Sequence, residues 1–280
     1  MGTLYIVATP LGNLEDITLR ALRILREVTL IATEDTRTTG RLLKHFEISC
    51  PLISYYEHNK LIRLERVLAA LAQGDVALVS EAGTPLLSDP GYELVQAALA
   101  EGFDVVSIPG PSALTAALPA SGLPPDRFLF LGFLPRKAAE RRQLLAEVTS
   151  EPATLVCFEA PHRLPATLAD LVDIWGGERK IAVCRELTKL YEEIWRGTLA
   201  EAQQEWTRRK PRGEFTLVVA GAPPPAVWSE TQITTALTEA MDGGLTTRTA
   251  VQQITARSGW PKRDVYALAQ QIKSEVQSQE

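Results

Sequence analysis

"DVALVSEAGTPLLSDPGYELVQAALAEG" (residues 75–102) sets an unbroken apolar run and a helix-like run on either side of a polar loop. Aliphatic residues without polar alternation, as in "DVALV", fit a strand covered on both faces of a parallel sheet. The loop "SEAGTPLLSDPG" (80–91) holds two Gly, two Pro and two Ser with Thr, Glu and Asp. It cannot extend the sheet, because Pro lacks an amide donor and Gly is entropically costly in a strand. Two readings stand: a tight strand-to-helix turn, or exposed backbone against which something small binds.

The same rhythm runs through the first half. Strand-like "LYIVAT" (4–9), "LIAT" (30–33), "PLISYY" (51–56), "DVALVS" (75–80) and "DVVSIP" (104–109) each precede a helix-like run. Repeated βαβ units predict an open α/β sheet. The Pro and Gly of "GLPPD" (122–126) break the rhythm and mark a boundary. A second α/β set follows from "RFLFLGFLP" to "GEFTLVVAG", with "IWRGTLAEAQQEW" read as a short strand and a helix. The prolines of "APPPAVW" (222–228) read as a stiff linker. Beyond them a polar helical tail carries a helix–turn–helix pattern, its turn at Gly259 and Pro261. That pattern fits a nucleic-acid reader and a three-helix cap equally. The expected parts are therefore 1–121 and 122–222, both α/β, and a helical module over 229–280.

Bulk composition narrows the class. The 280 residues are 45% hydrophobic and 22% charged with net charge −5, as in an ordinary globular protein. No apolar run reaches the ~18 residues of a membrane span, and "MGTLYIVATPLGN" opens on a strand pattern rather than a basic leader. Cys50, Cys157 and Cys184 have neither disulfide nor zinc spacing, and are expected to pack as small hydrophobes in a reducing cytoplasm. His45, His58 and His162 are isolated, so no metal is expected. There is no G-x-G-x-x-G after the first strand and no P-loop, which argues against a dinucleotide or nucleoside triphosphate.

What remains is three Gly/Pro-rich loops at strand ends: "TPLGNLED" (9–16), "SEAGTPLLSDPG" (80–91) and "PGPSALTAA" (109–117). Ligands of open α/β sheets lie beyond the carboxyl ends of the strands. Three such loops there would surround a small molecule with backbone groups that glycine lets come close. Ordinary turns account for one of these loops, and poorly for three.

These residues also carry a resemblance. "VATPLGNLEDIT", "ATEDTR", "SEAGTPLLSDPG", "IPGPSA", "GFLPRK", "CRELTK" and "GEFTLVVAG" occur in that order from about residue 3 to 221. Together they resemble the ribosomal RNA small-subunit methyltransferase I family, which is of the tetrapyrrole-methylase type of S-adenosylmethionine enzymes. The tail is similar to that family's helical C-terminal module. One departure is Glu81, where the family usually has Asp, so the carboxylate reaches one methylene further. The resemblance implies a homodimer that 2′-O-methylates a cytidine of 16S rRNA near the decoding centre. It also implies S-adenosylmethionine bound between two α/β domains.

On that resemblance the first loop would hold the donor through Pro10, Leu11 and Gly12. The second would do so through Ser80, Ala82, Gly83, Thr84, Pro85, Leu86 and Leu87, and the third through Ser112 and Ala113. Phe158, Arg185, Phe215 and Thr216 fall where related enzymes line the adenosyl pocket, although both phenylalanines read equally as core aromatics. Glu34, Asp35 and Glu81 are the catalytic candidates. The "TEDT" acids alternatively cap a helix N-terminus. Arg37, Arg136, Lys137, Arg141, Arg142, Arg208, Arg209 and Lys210 are candidates for RNA phosphate, though charge runs are usually solvated faces. Two rival functions stay open: a small-molecule methyltransferase acting on a tetrapyrrole, and a non-catalytic RNA-binding assembly factor.

Overall fold

A computed structural model describes residues 2–56, 60–223 and 228–277. His58 and Asn59, and residues 224–227 of the Pro-rich linker expected at 222–228, lie outside the described residues. The chain forms two compact units, Met1–Gly221 and Ala222–Glu280.

The first half alternates strand and helix from its start: β1 (Thr3–Val7), α1 (Leu19–Glu27), β2 (Leu30–Thr33), α2 (Thr36–His45) and β3 (Leu52–Ser54). It continues with α3 (Lys60–Leu71), β4 (Val76–Val79), α4 (Tyr92–Ala100), β5 (Asp104–Ile108) and α5 (Ala113–Ser121). The five strands form one sheet in the order β3-β2-β4-β1-β5, every pair parallel. All four residues of β4 are buried, and they alternate between two cores. Val76 and Leu78 join Leu4, Ile6 and Ile53 on one face, while Ala77 and Val79 join Val7, Ile31 and Ile108 on the other. Burial on both faces is why the strand is apolar throughout. Thr18 and Asp35 cap α1 and α2 by accepting backbone amides, which fixes where each strand-to-helix loop ends.

The second half holds β6 (Phe128–Phe133), α6 (Ala138–Glu147), β7 (Thr154–Glu159) and α7 (Leu164–Trp175). It closes with β8 (Lys180–Arg185), β9 (Glu193–Thr198), α8 (Leu199–Arg208) and β10 (Phe215–Val219). Its sheet runs β6-β7-β10-β8-β9, and only β6 and β7 are parallel. The turn between β8 and β9 contains no helix, so those strands return antiparallel. The last strand, β10, inserts at the centre with all five residues buried. On one face α7 and α8 cover the sheet around Leu168, Leu171 and Trp206. On the other, Leu114, Ala117 and Leu118 of α5 pack against Val156, Ala182, Cys184 and Val218. That contact joins the two sheets within the first unit. Burial pushes the Cys184 thiol up to about 12 and the Cys157 thiol up as well, so both stay neutral as packing groups.

The second unit is a three-helix cluster, α9 (Glu230–Asp242), α10 (Thr247–Ser258) and α11 (Lys262–Gln277). It buries its own core, including Ile233, Leu237, Val251, Ile254 and Val265. A Ser229–Gln232 capping box starts α9, and Gly259 at φ +72° ends α10. Among the described residues, no helix is long and apolar enough to cross a membrane.

Candidate functional site

The loops that follow β4, β1 and β5, three neighbouring strands, are bonded to one another. Thr9 and Gly83 exchange backbone hydrogen bonds of 2.9 and 3.0 Å. The Ser80 hydroxyl donates to the Gly83 carbonyl at 3.0 Å, and the Thr84 hydroxyl to the Pro111 carbonyl at 3.0 Å. Gly83 sits at φ +85°, and a Cβ there would come 3.1 Å from the Leu11 side chain. Leu86 at φ +72° and Ser88 at φ +73° hold the left-handed conformation without being glycine. Such residues cost on the order of 1–2 kcal/mol and persist where the surroundings over-determine them.

These loops wall a cavity of about 400 Å³ closed on its other side by the second sheet. Leu11 from the first loop lines it, with Ala82, Gly83, Thr84 and Leu87 from the second, and Ser112 and Ala113 from the third. Phe133, Phe158, Phe215 and Thr216 come from the ends of β6, β7 and β10. Phe158 stacks edge-on against Phe130 and Phe133 at 4.9 and 5.5 Å, giving the cavity an aromatic wall. Phe215 is nearly all core, 3% exposed and edge-on to Trp206.

Beside the hydroxyls of Thr84, Ser88, Ser112 and Thr216, the charged lining among the described residues is acidic: Glu34, Glu81, Asp89, Glu159 and Glu214. Glu159 is a structural acid, saturated by the Thr167 hydroxyl at 2.6 Å, the Ala160 amide at 2.8 Å and the Arg163 guanidinium at 3.1 Å. Glu34, Glu81 and Asp89 interact through space. Burial, then Glu81 and Asp35, hold the Glu34 carboxyl above its ordinary range. Burial and then Glu34 raise Asp89 to about 6, with Ser80 pulling the other way and Glu81 adding to the rise.

The structure sorts the residues nominated from sequence. Pro10, Gly12 and Ser80 line a neighbouring second cavity instead of the first. Pro85, Leu86 and Arg185 line neither. Arg185 is taken up in donating to the Arg212 carbonyl and pairing with Glu193, because β9 lies beside it. Asp35 is the N-cap of α2: it accepts the Arg37 amide at 2.8 Å and pairs with the Arg37 guanidinium. Those bonds hold its carboxyl down at about 2, a poor fit to a proton acceptor, so its expected catalytic part is corrected to capping. Asp89 takes its place in the carboxylate group. It was missed because Asp before Pro and Gly reads as a turn former.

The basic clusters divide in the same way. Arg141 is 5% exposed and bonded to Asp170 at 2.6 Å, out of reach of a phosphate, which corrects its expected role in RNA contact. Arg209 is committed to Glu193 and Glu205 and stacks on Trp206, so it too is structural. Arg142 bridges Asp170 and Asp173. Lys137 pairs with Glu140, and Arg37 with Asp35, both from the surface. Arg136, Arg208 and Lys210 stand exposed.

Comparison with known proteins places this arrangement. The family described as Tetrapyrrole (Corrin/Porphyrin) Methylases matches residues 3–203. A uroporphyrin III C-methyl transferase from Thermus thermophilus, crystallised in its native form, superposes with a TM-score of 0.57 at 20% identity. The match covers 78% of this chain and 97% of that one, a likeness of fold. A protein of Synechocystis named "Ribosomal RNA small subunit methyltransferase I" is 49% identical over 278 residues, covering 98% of this chain and 100% of that protein. Its namesake in Pseudomonas aeruginosa is 54% identical over 224 residues, 79% of each chain. The Thermotoga maritima namesake is 49% identical over 222 residues, which are 79% of this chain and 99% of that protein. With near-complete alignment at this identity, and the methylase fold around an acidic three-loop cavity, the chain belongs to the ribosomal RNA small subunit methyltransferase I family of tetrapyrrole methylases.

Proposed function

We propose that the protein 2′-O-methylates a cytidine of 16S rRNA near the decoding centre, with S-adenosylmethionine held in the 400 Å³ cavity. The observation that carries the donor is the charge of the lining: among the described residues its charged groups are all acids. S-adenosylmethionine supplies an electrophilic methyl group on a positively charged sulfonium and carries no phosphate. A cavity whose charged side chains favour cations suits it better than a nucleotide carrying several negative charges. Its size falls in the range of ~300–1,000 Å³ usual for small-molecule sites, and the aromatic wall suits an adenine.

The tied loops hold the donor rigidly through backbone groups around Ala82–Thr84. Glu81 and Asp89 face the same cavity: Asp89 takes up the one proton that the ribose hydroxyl releases as its oxygen is methylated, and the charge of Glu81 favours that release. Such positioned proton acceptance contributes typically ~10²–10⁴-fold. The shared name of the relatives supplies the RNA. The resemblance of the loop motifs supplies the cytidine hydroxyl.

The same reading divides the chain into methylase domains 1–121 and 122–222 and a helical module 229–280, in a cytoplasmic homodimer. Calorimetry with S-adenosylmethionine tests the donor, and ribose-methylation mapping of 16S rRNA in cells lacking the gene tests the acceptor. Tight donor binding and one missing cytidine methyl are expected. A protein that does not bind the donor would make this a non-catalytic relative.

A further inference from the structure

A second cavity of about 340 Å³ adjoins the first, and Leu11, Glu81, Ala82 and Glu214 line both. Its character differs. Arg41 and Lys189 stand in its wall, where the first cavity has no cation among the described residues. Lys189 lies 3.1 Å from Glu186 and 2.9 Å from Glu214, so its charge is already balanced. Its aliphatic stem crosses Gly12 so closely that a Cβ there would stand 2.3 Å from Lys189 Cγ. The turn that carries it is strained, with Glu186 at φ +50° and Thr188 at φ +65°. Lys189 thus forms a fixed wall of the cavity. Arg41 is exposed on α2 and, among the described residues, has no ion pair or hydrogen bond. Leu14 and Leu42 add apolar surface, and the Thr38 hydroxyl adds a polar group 3.5 Å from Glu81 Oε1.

Resting on the methyltransferase reading above, we propose that this second cavity is the acceptor subsite, which takes the nucleotide to be methylated with Arg41 on its phosphodiester. The lining matches the parts of such a ligand. Leu14 and Leu42 suit a base face, Thr38 and Glu81 a sugar hydroxyl, and the exposed Arg41 guanidinium a phosphate. Glu81 stands on the wall common to both cavities, where a ribose hydroxyl must meet the donor methyl. Reacting atoms have to approach to about 3–3.5 Å, and only a cavity that opens on the donor's own allows that.

The test uses the full chain with purified small ribosomal subunits as acceptor and Arg41→Ala, Arg41→Lys and Arg41→Glu. Arg41 is exposed and has no partner among the described residues, so the variants fold. Loss of one charge-assisted phosphate contact raises KM for the subunit about tenfold in Arg41→Ala and further in Arg41→Glu, with partial rescue by Arg41→Lys. The slope of log KM against log salt falls by about 1 in Arg41→Ala. The Kd for S-adenosylmethionine stays within about twofold, since one contact fewer changes nothing in the donor cavity. Unchanged KM and salt slope against an active wild type would overturn the acceptor subsite alone. A tenfold loss of donor affinity would overturn it differently, by assigning Arg41 to the donor's carboxylate tail. A wild type that binds donor yet methylates no subunit would remove the functional reading and this subsite together.

Discussion

Asp89 and Glu81 share one cavity, yet their environments ask different things of them. Asp89 is partly buried beside Glu34 and Glu81, and its pKa stands at about 6 against an ordinary 3.8. Between these values the folded protein keeps a proton that the unfolded chain has lost. Stability therefore falls as pH rises through that window and stays lower above it. Asp89→Asn removes the penalty, so urea unfolding at pH 7.5 should show a gain on the order of 2–3 kcal/mol that disappears below about pH 4. Methyl transfer should lose its acid limb near pH 6 in the same variant, since an amide cannot take the proton. A limb that persists would exclude Asp89 as the proton acceptor. Glu81 is exposed, lines both cavities, and stands where the family usually has a shorter acid. Its charge should matter more than its reach. Glu81→Asp is expected to keep most of kcat, and Glu81→Gln to lose about tenfold or more. Equal small losses in the two would return Glu81 to loop solvation.

At the scale of elements, α6 and α7 show how one basic run can serve two ends. Four cations follow "GFLP" within seven residues, but Arg136 and Lys137 precede α6 while the helix turns Arg141 and Arg142 to different surroundings. Arg141 points inward to Asp170 on α7, while Arg142 spans Asp170 and Asp173 from a side chain 44% exposed. Removing Arg141 strands a mostly buried carboxylate with only Arg142 left beside it. Arg141→Ala should therefore cost about 2–4 kcal/mol in urea unfolding. Arg142→Ala, a surface change, should cost no more than ~1 kcal/mol. Neither should move the donor Kd. If Arg141→Ala leaves stability unchanged and instead weakens subunit binding, the side chain swings out to the RNA and the α6–α7 tie is dispensable.

At the scale of the molecule, every described residue lining either cavity lies at or before Thr216, inside the unit that ends at Gly221. The last unit buries a core of its own. The Thermotoga relative is matched over 99% of its length by 222 residues of this chain, about the length of the first unit. A chain ending at Gly221 is accordingly expected to unfold cooperatively and to bind S-adenosylmethionine within about twofold of the full chain. Calorimetry on the two forms checks this. A truncated chain that aggregates or loses the donor would show that the helical unit completes the methylase part.

Sequence by itself determined what is written locally. Strand-to-helix periods placed β1–β5, because a strand buried on both faces must be apolar throughout. Gly and Pro marked the three loops, because positive φ and lost amides restrict residue choice at each position alone. The ordered loop motifs carried the family. Only tertiary structure decided who meets whom. It set β10 at the centre of a largely antiparallel second sheet, since burial between β7 and β8 is a contact of distant segments. It turned Asp35 into a helix cap and Asp89 into a cavity carboxylate, and it buried Arg141 while leaving Arg41 exposed. Each of these residues is an ordinary charged side chain in sequence. Its charge acquires a role only from the partner and the solvent that folding gives it or takes away.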